Sequence, residues 1–296
     1  MAPQPLITVI TPCFNDESTL PMALASLMAQ SVEDWECVVV DDGSGRPIAP
    51  IVEAFGDERI SLVSFATNRG RSVARQRALD EARGRFICML DADDWYYPDK
   101  LKRQLAVMEA HPELTAVSTG LAVIDGSDEL VGMRSHNPTA LEIYGGDEPQ
   151  WPKVPFPSVM IRRTAALAHK FDPRLERSED LDYLMRVLAG RHYGVMPQVG
   201  YAYRERYSDT TMGEALSGFR NQRKVFRARL RRAPLAAGRQ YLWSLVKSGI
   251  YGAARAAGRG RWLFSRRNRP ASAVERQAFL ASRTRVREVF ELVGEA

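Results

Sequence analysis

The feature that most constrains this chain is an alternation: short runs dominated by apolar residues, each followed by a longer run that is apolar at helical spacing. Leu6 to Ile10, Cys37 to Val40, Ile60 to Phe65 and Phe86 to Leu90 are the strand-like runs. Leu20 to Met28, Ile48 to Phe55, Val73 to Ala82 and the stretch after Pro98 through Met108 are the helical ones. A strand that is apolar on both faces must be covered on both, so the pattern predicts an α/β protein with a mostly parallel sheet flanked by helices. Leu114 to Ile124 and Val159 to Ile161 read as further strands. Leu181 to Ala189 reads as a helix, and Tyr193 to Met196 and Val199 to Tyr203 as two extended segments. Residues 137–157, rich in Pro and Gly, read as a loop able to fold over a substrate. Beyond Met212 the chain reads as helix, broken near Pro234 and again from Gly258 to Pro270. The expected division is therefore a catalytic α/β domain over 1–212 and a helical, Arg-rich region over 213–296. With 296 residues, 45% of them hydrophobic and 26% charged, the chain has the length and composition of an ordinary folded protein rather than a disordered one.

The strand-like runs end in polar clusters: Asn15-Asp16, then Asp41-Asp42-Gly43-Ser44, then Asp91-Ala92-Asp93-Asp94. In open α/β sheets ligands bind beyond the carboxyl ends of the strands, which is where these clusters fall. Asp91 and Asp93 can present two carboxylates at a strand mouth, where hard oxygen donors suit Mg²⁺ or Mn²⁺ bound together with phosphates. The alternative is an acid capping the helix near Pro98, but three acids within four residues repel one another without a cation. Asp41 and Asp42 can accept hydrogen bonds from a base or ribose, or belong to an ordinary strand-to-helix turn. Arg71, Arg75 and Arg77 lie on or beside the helix after Gly70, with Arg75 the best placed to face a ligand. Glu179-Asp180, behind Ser178, either favours the positive end of a helix or supplies a general base. The four histidines form no i,i+4 pair, and Walker A, GxGxxG and GxSxG patterns are all missing.

Charge is unevenly spread. Between Glu214 and Glu275 there is no Asp or Glu and there are fifteen Lys and Arg, while the rest of the chain holds 26 basic and 36 acidic residues, a net of −10. That segment, 215–274, implies an anionic partner. Its aromatic and aliphatic residues from Tyr241 to Tyr251 and from Trp262 to Phe264 suit an interfacial helix on anionic lipid. Packing on the catalytic domain with solvated Arg faces is the alternative. A nucleic-acid partner lacks any recognised motif; contacts with an acceptor or within an oligomer are further readings of the same region. Three cysteines, two of them inside apolar runs, do not suggest a disulfide framework. No run approaches the roughly 18 apolar residues that span a bilayer, and the first residues lack a secretory pattern. The sequence reads as cytoplasmic, peripheral on the inner face of a membrane.

Taken in order, Val9 to Asn15, Val40 to Ser44, Asn68 to Gly70 with Ala74-Arg75, Leu90 to Trp95 and Ser178 to Asp180 resemble the motifs of family 2 glycosyltransferases of the GT-A fold. The resemblance runs from Leu6 to about Tyr207. It implies an inverting transferase that moves a sugar from a nucleoside-diphosphate sugar, a UDP-sugar being favoured, to a hydroxyl of a glycan, a lipid-linked molecule or another acceptor, as in cell-surface polysaccharide biosynthesis. By that resemblance Thr11, Pro12, Phe14, Asn15, Glu17, Asp41, Asp42, Asn68, Gly70, Arg75, Asp91, Ala92 and Asp93 would surround the nucleotide sugar. Phe14 would border the base and Asp91 the ribose. Asp93, with Asp91, would hold a divalent cation, Mn²⁺ or Mg²⁺, and Asp180, with Glu179 as neighbour or substitute, would be the base. Relatives often carry a histidine soon after a Tyr-Arg pair; here Tyr203-Arg204 is followed by Glu205-Arg206-Tyr207, so Arg204 or Arg206 would contact the diphosphate. The Gln-x-x-Arg-Trp motif of processive relatives is missing. A noncatalytic nucleotide-sugar or membrane-binding module and a nucleotidyltransferase are the rival readings.

Overall fold

The computed structural model describes residues 4–134, 138–145, 152–205, 209–231 and 233–294. Strands β1 (Ile7–Cys13), β2 (Trp35–Asp41), β3 (Ile60–Ser64) and β4 (Phe86–Met89) alternate with helices α1 (Leu20–Met28), α2 (Ala49–Ala54) and α3 (Arg71–Glu81). Then come β5 (Trp95–Tyr96), α4 (Lys100–Ala110), β6 (Leu114–Ile124), β7 (Leu130–Arg134), β8 (Glu142–Tyr144), β9 (Val159–Arg162), α5 (Arg163–Leu167), α6 (Glu179–Val187) and β10 (His192–Arg204). The chain ends in α7 (Asp209–Arg229), α8 (Pro234–Ala256), α9 (Gly260–Ser265) and α10 (Ala273–Gly294).

Among the described residues, ten strands form one sheet, with β3-β2-β1-β4-β9-β6-β10-β5 in order, β7 on β6 and β8 on β10. β1 pairs in parallel with both β2 and β4, β2 with β3, and β6 with β10. β9 is antiparallel to β4 and to β6, so it reverses direction in mid-sheet while its neighbours keep theirs. The side-chain period of two explains why both faces are dry. On β2, Cys37 and Val39 point into the core shared with α1, while Val38 and Val40 point into the core shared with α3 and α6. All three cysteines are buried and free.

The structure departs from the sequence pattern around β10 in two ways. The extended segments before and after Pro197 are a single strand, β10, whose pairing with β6 shifts between Val195 and Val199; a proline cannot donate to the ladder and is tolerated where pairing is interrupted. The loop expected over 137–157 contains β8, which pairs with β10.

α10 is part of the main core. Phe279 and Val286 are fully buried, and the Phe279 ring packs tilted against Trp95 and Tyr97 at 5.6 and 6.4 Å between ring centres. A bridge between Met133 and Arg269 ties the segment before α10 to β7. Among the described residues no helix is long and apolar enough to cross a membrane.

Candidate active site

Three strand ends and one helix start meet at one edge of the sheet. The turn after β2 is held by its own acids. Asp41 accepts a hydrogen bond from the Ser44 amide at 2.9 Å, and Asp42 accepts from the Arg69 and Gly70 amides at 2.7 and 2.9 Å. Asp42 thus fixes the loop that leads into α3. Gly43, at φ +72°, lets the two loops touch, since a Cβ there would lie 2.4 Å from the Thr67 carbonyl carbon. Gly70, at φ +93°, caps α3 in a conformation that side chains rarely adopt. Asn15 also takes a left-handed conformation, and its Oδ1 accepts from the Gly45 amide at 2.8 Å.

Phe14 is exposed at the mouth of β1, as is Asn68 across the turn, with Pro12 and Glu17 half-exposed. Thr11 is different: it is fully buried, 3.6 Å from the Cys37 sulfur, so its side chain faces the core rather than the mouth.

The Asp91-Ala92-Asp93-Asp94 cluster splits into separate duties. Asp94 is buried and accepts from the Tyr201 hydroxyl at 2.8 Å and the Arg204 amide at 2.6 Å. Burial, reinforced by Asp93 and Asp91, holds its carboxyl well above the ordinary range. It anchors the loop to β10. Asp91 accepts from Arg75 at 2.9 Å. Asp93, half-buried beside them, is pushed up to about 6 by burial and then by the charges of Asp91 and Asp16. Ala92 is buried between the two.

Arg75 is buried and spans the site, donating to Asp91 on one side and to Glu179 at 2.6 Å on the other. Burial works against its charge, but Asp91, Glu179 and Asp180 outweigh that and raise its pKa. It is therefore a brace between the β4 mouth and α6 rather than a hand offered to a ligand. Glu179, fully enclosed and held by Arg75, is raised by burial against that pull. Asp180 next to it is half-buried, with one oxygen taking the Leu181 amide at 2.7 Å.

Asp93, Glu179 and Asp180 line one cleft of about 760 Å³. Arg71, Tyr203 and Arg204 share its wall, and α7 and α8 close it with Phe219, Gln222, Lys247 and Tyr251. Arg204, a candidate diphosphate contact, is committed elsewhere: its guanidinium donates to the Asp93 carbonyl at 2.7 Å, the Asp125 carbonyl at 2.9 Å and Asp128 at 2.5 Å. Arg206, the other candidate, lies outside the described residues. Arg71, 57% exposed in its side chain and 3.9 Å from Glu179, is the arginine of α3 that faces the cleft, whereas Arg77 pairs with Glu81 on the outer surface. Sequence reasoning did not find Lys247, Tyr251 or Arg267 in this wall, because the packing of the C-terminal region beside the cleft leaves no periodic trace.

Residues 8–168 match the profile described as Glycosyl transferase family 2. Among curated relatives, the chain is 39% identical over 107 residues to the putative teichuronic acid biosynthesis glycosyltransferase TuaG of Bacillus subtilis, covering 36% of this chain and 42% of that one. It is 37% identical over 103 residues to the UDP-Glc:alpha-D-GlcNAc-diphosphoundecaprenol beta-1,3-glucosyltransferase WfgD of Escherichia coli, covering 35% of this chain and 41% of that one. The chain thus matches less than half the length of either. In structure it is similar to Staphylococcus aureus TarS 1–349 in complex with UDP-GlcNAc, with a TM-score of 0.63 and 21% identity over 79% of this chain and 69% of that one. That likeness identifies the GT-A fold.

Proposed function

The chain belongs to glycosyl transferase family 2, and on that footing we propose that it transfers a sugar from a nucleoside-diphosphate sugar, a UDP-sugar by preference, to an acceptor hydroxyl with inversion. The observation that carries this reading is the single cleft in which Asp93, from the β4 mouth, and Asp180, from the start of α6, both lie.

Asp180 is the general base in this reading. Its neighbour Glu179 is locked to Arg75 and buried, whereas Asp180 keeps one oxygen beyond its bond to Leu181. As the acceptor oxygen forms its bond to the anomeric carbon, its proton passes to Asp180. The bond from that carbon to the diphosphate oxygen breaks, and its electron pair leaves on the diphosphate. Phe14, exposed at the β1 mouth, supplies a face for the base, and Asp41 sits beside it for a base or ribose contact.

The residues fit a divalent cation. Asp93 carries a carboxyl that burial and neighbouring acids hold in an unfavourable state, which a cation relieves. Among the described residues no three His, Cys, Asp or Glu side chains converge on one point, so Asp93, with Asp91 beside it, would hold an ion completed by phosphate oxygens and water, the habit of Mg²⁺ and Mn²⁺. Bound there, the ion would supply positive charge opposite the departing diphosphate. An inner-membrane-face location belongs to the same reading, supported by the charge of 215–274.

The test uses two variants and a panel of nucleotide sugars with Mn²⁺. Asp180→Asn is expected to keep the rise in melting temperature that a bound donor gives and to lose about 10²- to 10⁴-fold of transfer rate. Asp93→Ala is expected to lose the Mn²⁺-dependent part of that rise. Full transfer activity in Asp180→Asn would overturn the assignment of the base.

A further inference from the structure

α8 is turned the wrong way round for a helix of a globular protein. Its side towards α7 is small and polar: Ala237 and Ser244 are its buried residues, Ser244 donates to the Phe219 carbonyl at 3.1 Å, and Arg223 reaches Ser248 at 2.7 Å. Its apolar side looks outward. Leu235, Leu242, Trp243, Leu245, Val246 and Ile250 are each between 44% and 90% exposed and recur at helical spacing along one ridge. An ordinary amphipathic helix hides that face, and an exposed apolar patch of this kind marks an interaction surface.

Beside the ridge, α7 and α8 enclose a groove of about 620 Å³ whose walls are Phe226, Leu242, Trp243 and Val246. Gln222 and Lys247 line both the groove and the catalytic cleft, so the two adjoin there. Lys247 is the cation shared by groove and cleft, and Arg71 and Arg267 line the cleft, Arg267 lying 3.4 Å from Glu205. The chain thus offers hydrocarbon along the groove, positive charge at its inner end, and Asp180 beyond.

The occupant follows from charge. The ridge belongs to a segment of fifteen basic and no acidic residues, and Trp262 at its far end is 57% exposed with the Arg266 guanidinium 5.1 Å above its ring. Two copies meeting through such a face would bring like charges together, while an anionic bilayer satisfies both the apolar ridge and its basic surroundings. We infer that α8 lies in the interface of an anionic membrane and that the α7–α8 groove takes the hydrocarbon chain of an anionic lipid acceptor, whose head reaches the cleft. The last step rests on the transferase reading of that cleft; the surface and the groove do not.

The full chain is mixed with vesicles of phosphatidylglycerol and phosphatidylcholine, or of phosphatidylcholine alone, and sedimented. Binding is expected only to the anionic vesicles, and Leu235→Glu with Ile250→Glu, two ridge positions outside the groove, is expected to weaken it on the order of a hundredfold. The groove is probed by calorimetry with decyl phosphate against inorganic phosphate. Decyl phosphate is expected to bind at least roughly tenfold tighter, and Gln240→Trp, which narrows the groove, is expected to abolish that advantage while vesicle binding persists. Equal sedimentation of the ridge variant, or a dimer that the ridge variant converts to monomers without any vesicle binding, overturns the membrane assignment. Decyl phosphate that binds no better than phosphate, or that ignores Gln240→Trp, overturns the groove. Failure of the transferase reading shows separately, as a parent protein that binds vesicles and decyl phosphate yet gains no melting temperature from any nucleotide sugar.

Discussion

Helices α8 and α10 are nearly equal in length, 23 and 22 residues, and both carry apolar residues at helical spacing among arginines, yet they are used in opposite senses. α10 lays Phe279 and Val286 into the core beneath α1 and Trp95. α8 shows its large apolar side chains to the outside and buries an alanine and a serine. Their electrostatic surroundings differ in the same way. Arg283 of α10 donates to Glu129 at 2.7 Å, and Arg287 lies 4.0 Å from Asp128, both acids of the β6–β7 turn. α8 sits in a stretch of sequence with no acid at all. Amphipathic spacing therefore fixes that a helix has an apolar face but not what covers it; here the local charge balance tells the two apart.

The comparison breaks most sharply on its aromatic residues. Phe279→Ala is expected to cost about 3–5 kcal/mol of folding stability, the usual range for emptying a buried aromatic site. Trp243→Ala, at a position 57% exposed, is expected to stay within about 0.5 kcal/mol. Denaturant melts of the two variants decide it. A Trp243→Ala cost approaching that of Phe279→Ala would mean that the outward ridge of α8 is already covered in solution.

Much of the frame was readable because it depends on short-range pattern. β1, β2 and β4 are continuous apolar runs, and the acids at their ends fall at the strand mouths as open-sheet topology requires. What escaped depends on distant partners. Asp94 looks like a third metal acid in sequence, yet it is spent on Tyr201 and on the Arg204 amide, more than a hundred residues away. Arg75 reads as a phosphate contact until Glu179, 104 residues on, is seen to hold it. Asp180 gains weight as the base through that same contact, because it leaves its neighbour occupied. β5 has only two residues and β8 three, too few for any period to show. The start of α10 falls just past the expected break from Gly258 to Pro270, and the capping-box spacing of Ser272 and Glu275 that marks it is a sequence signal the reading left unused.

A smaller effect sharpens the contrast in charge. Arg283→Ala removes hydrogen bonds to the Asp128 carbonyl at 2.9 Å and to Glu129 from a side chain only 16% exposed. A loss of about 1–2 kcal/mol is expected. Arg239→Ala, at an exposed position of α8, is expected to change stability by less than about 0.5 kcal/mol while weakening sedimentation with anionic vesicles. Equal stability losses in the two melts would remove the distinction between an arginine that anchors a helix and one that faces a membrane.

The smallest expected effect concerns the cap that commits α10 to the core. Glu275 accepts from Arg269 at 2.5 and 2.9 Å and from the Ser272 amide and hydroxyl at 2.9 Å each, and the Ser272 hydroxyl in turn accepts from the Glu275 amide at 3.3 Å. The Arg269 hydrogen bonds, followed by those from Ser272, lower the Glu275 carboxyl from 4.5 to about 2. Because its pKa is lower in the folded chain than in the unfolded one, the carboxylate adds stability that is complete above about pH 4.5 and disappears as the pH falls towards 2. Arg269 is 40% exposed, so solvent screens the pair, and Glu275→Gln is expected to cost no more than about 1 kcal/mol at neutral pH. Melting curves of both proteins from pH 7 down to about pH 2 should converge as the carboxylate of the parent protein takes up its proton. A gap that holds constant with pH would mean that the cap works through the geometry of its hydrogen bonds, which glutamine retains in part, and not through charge.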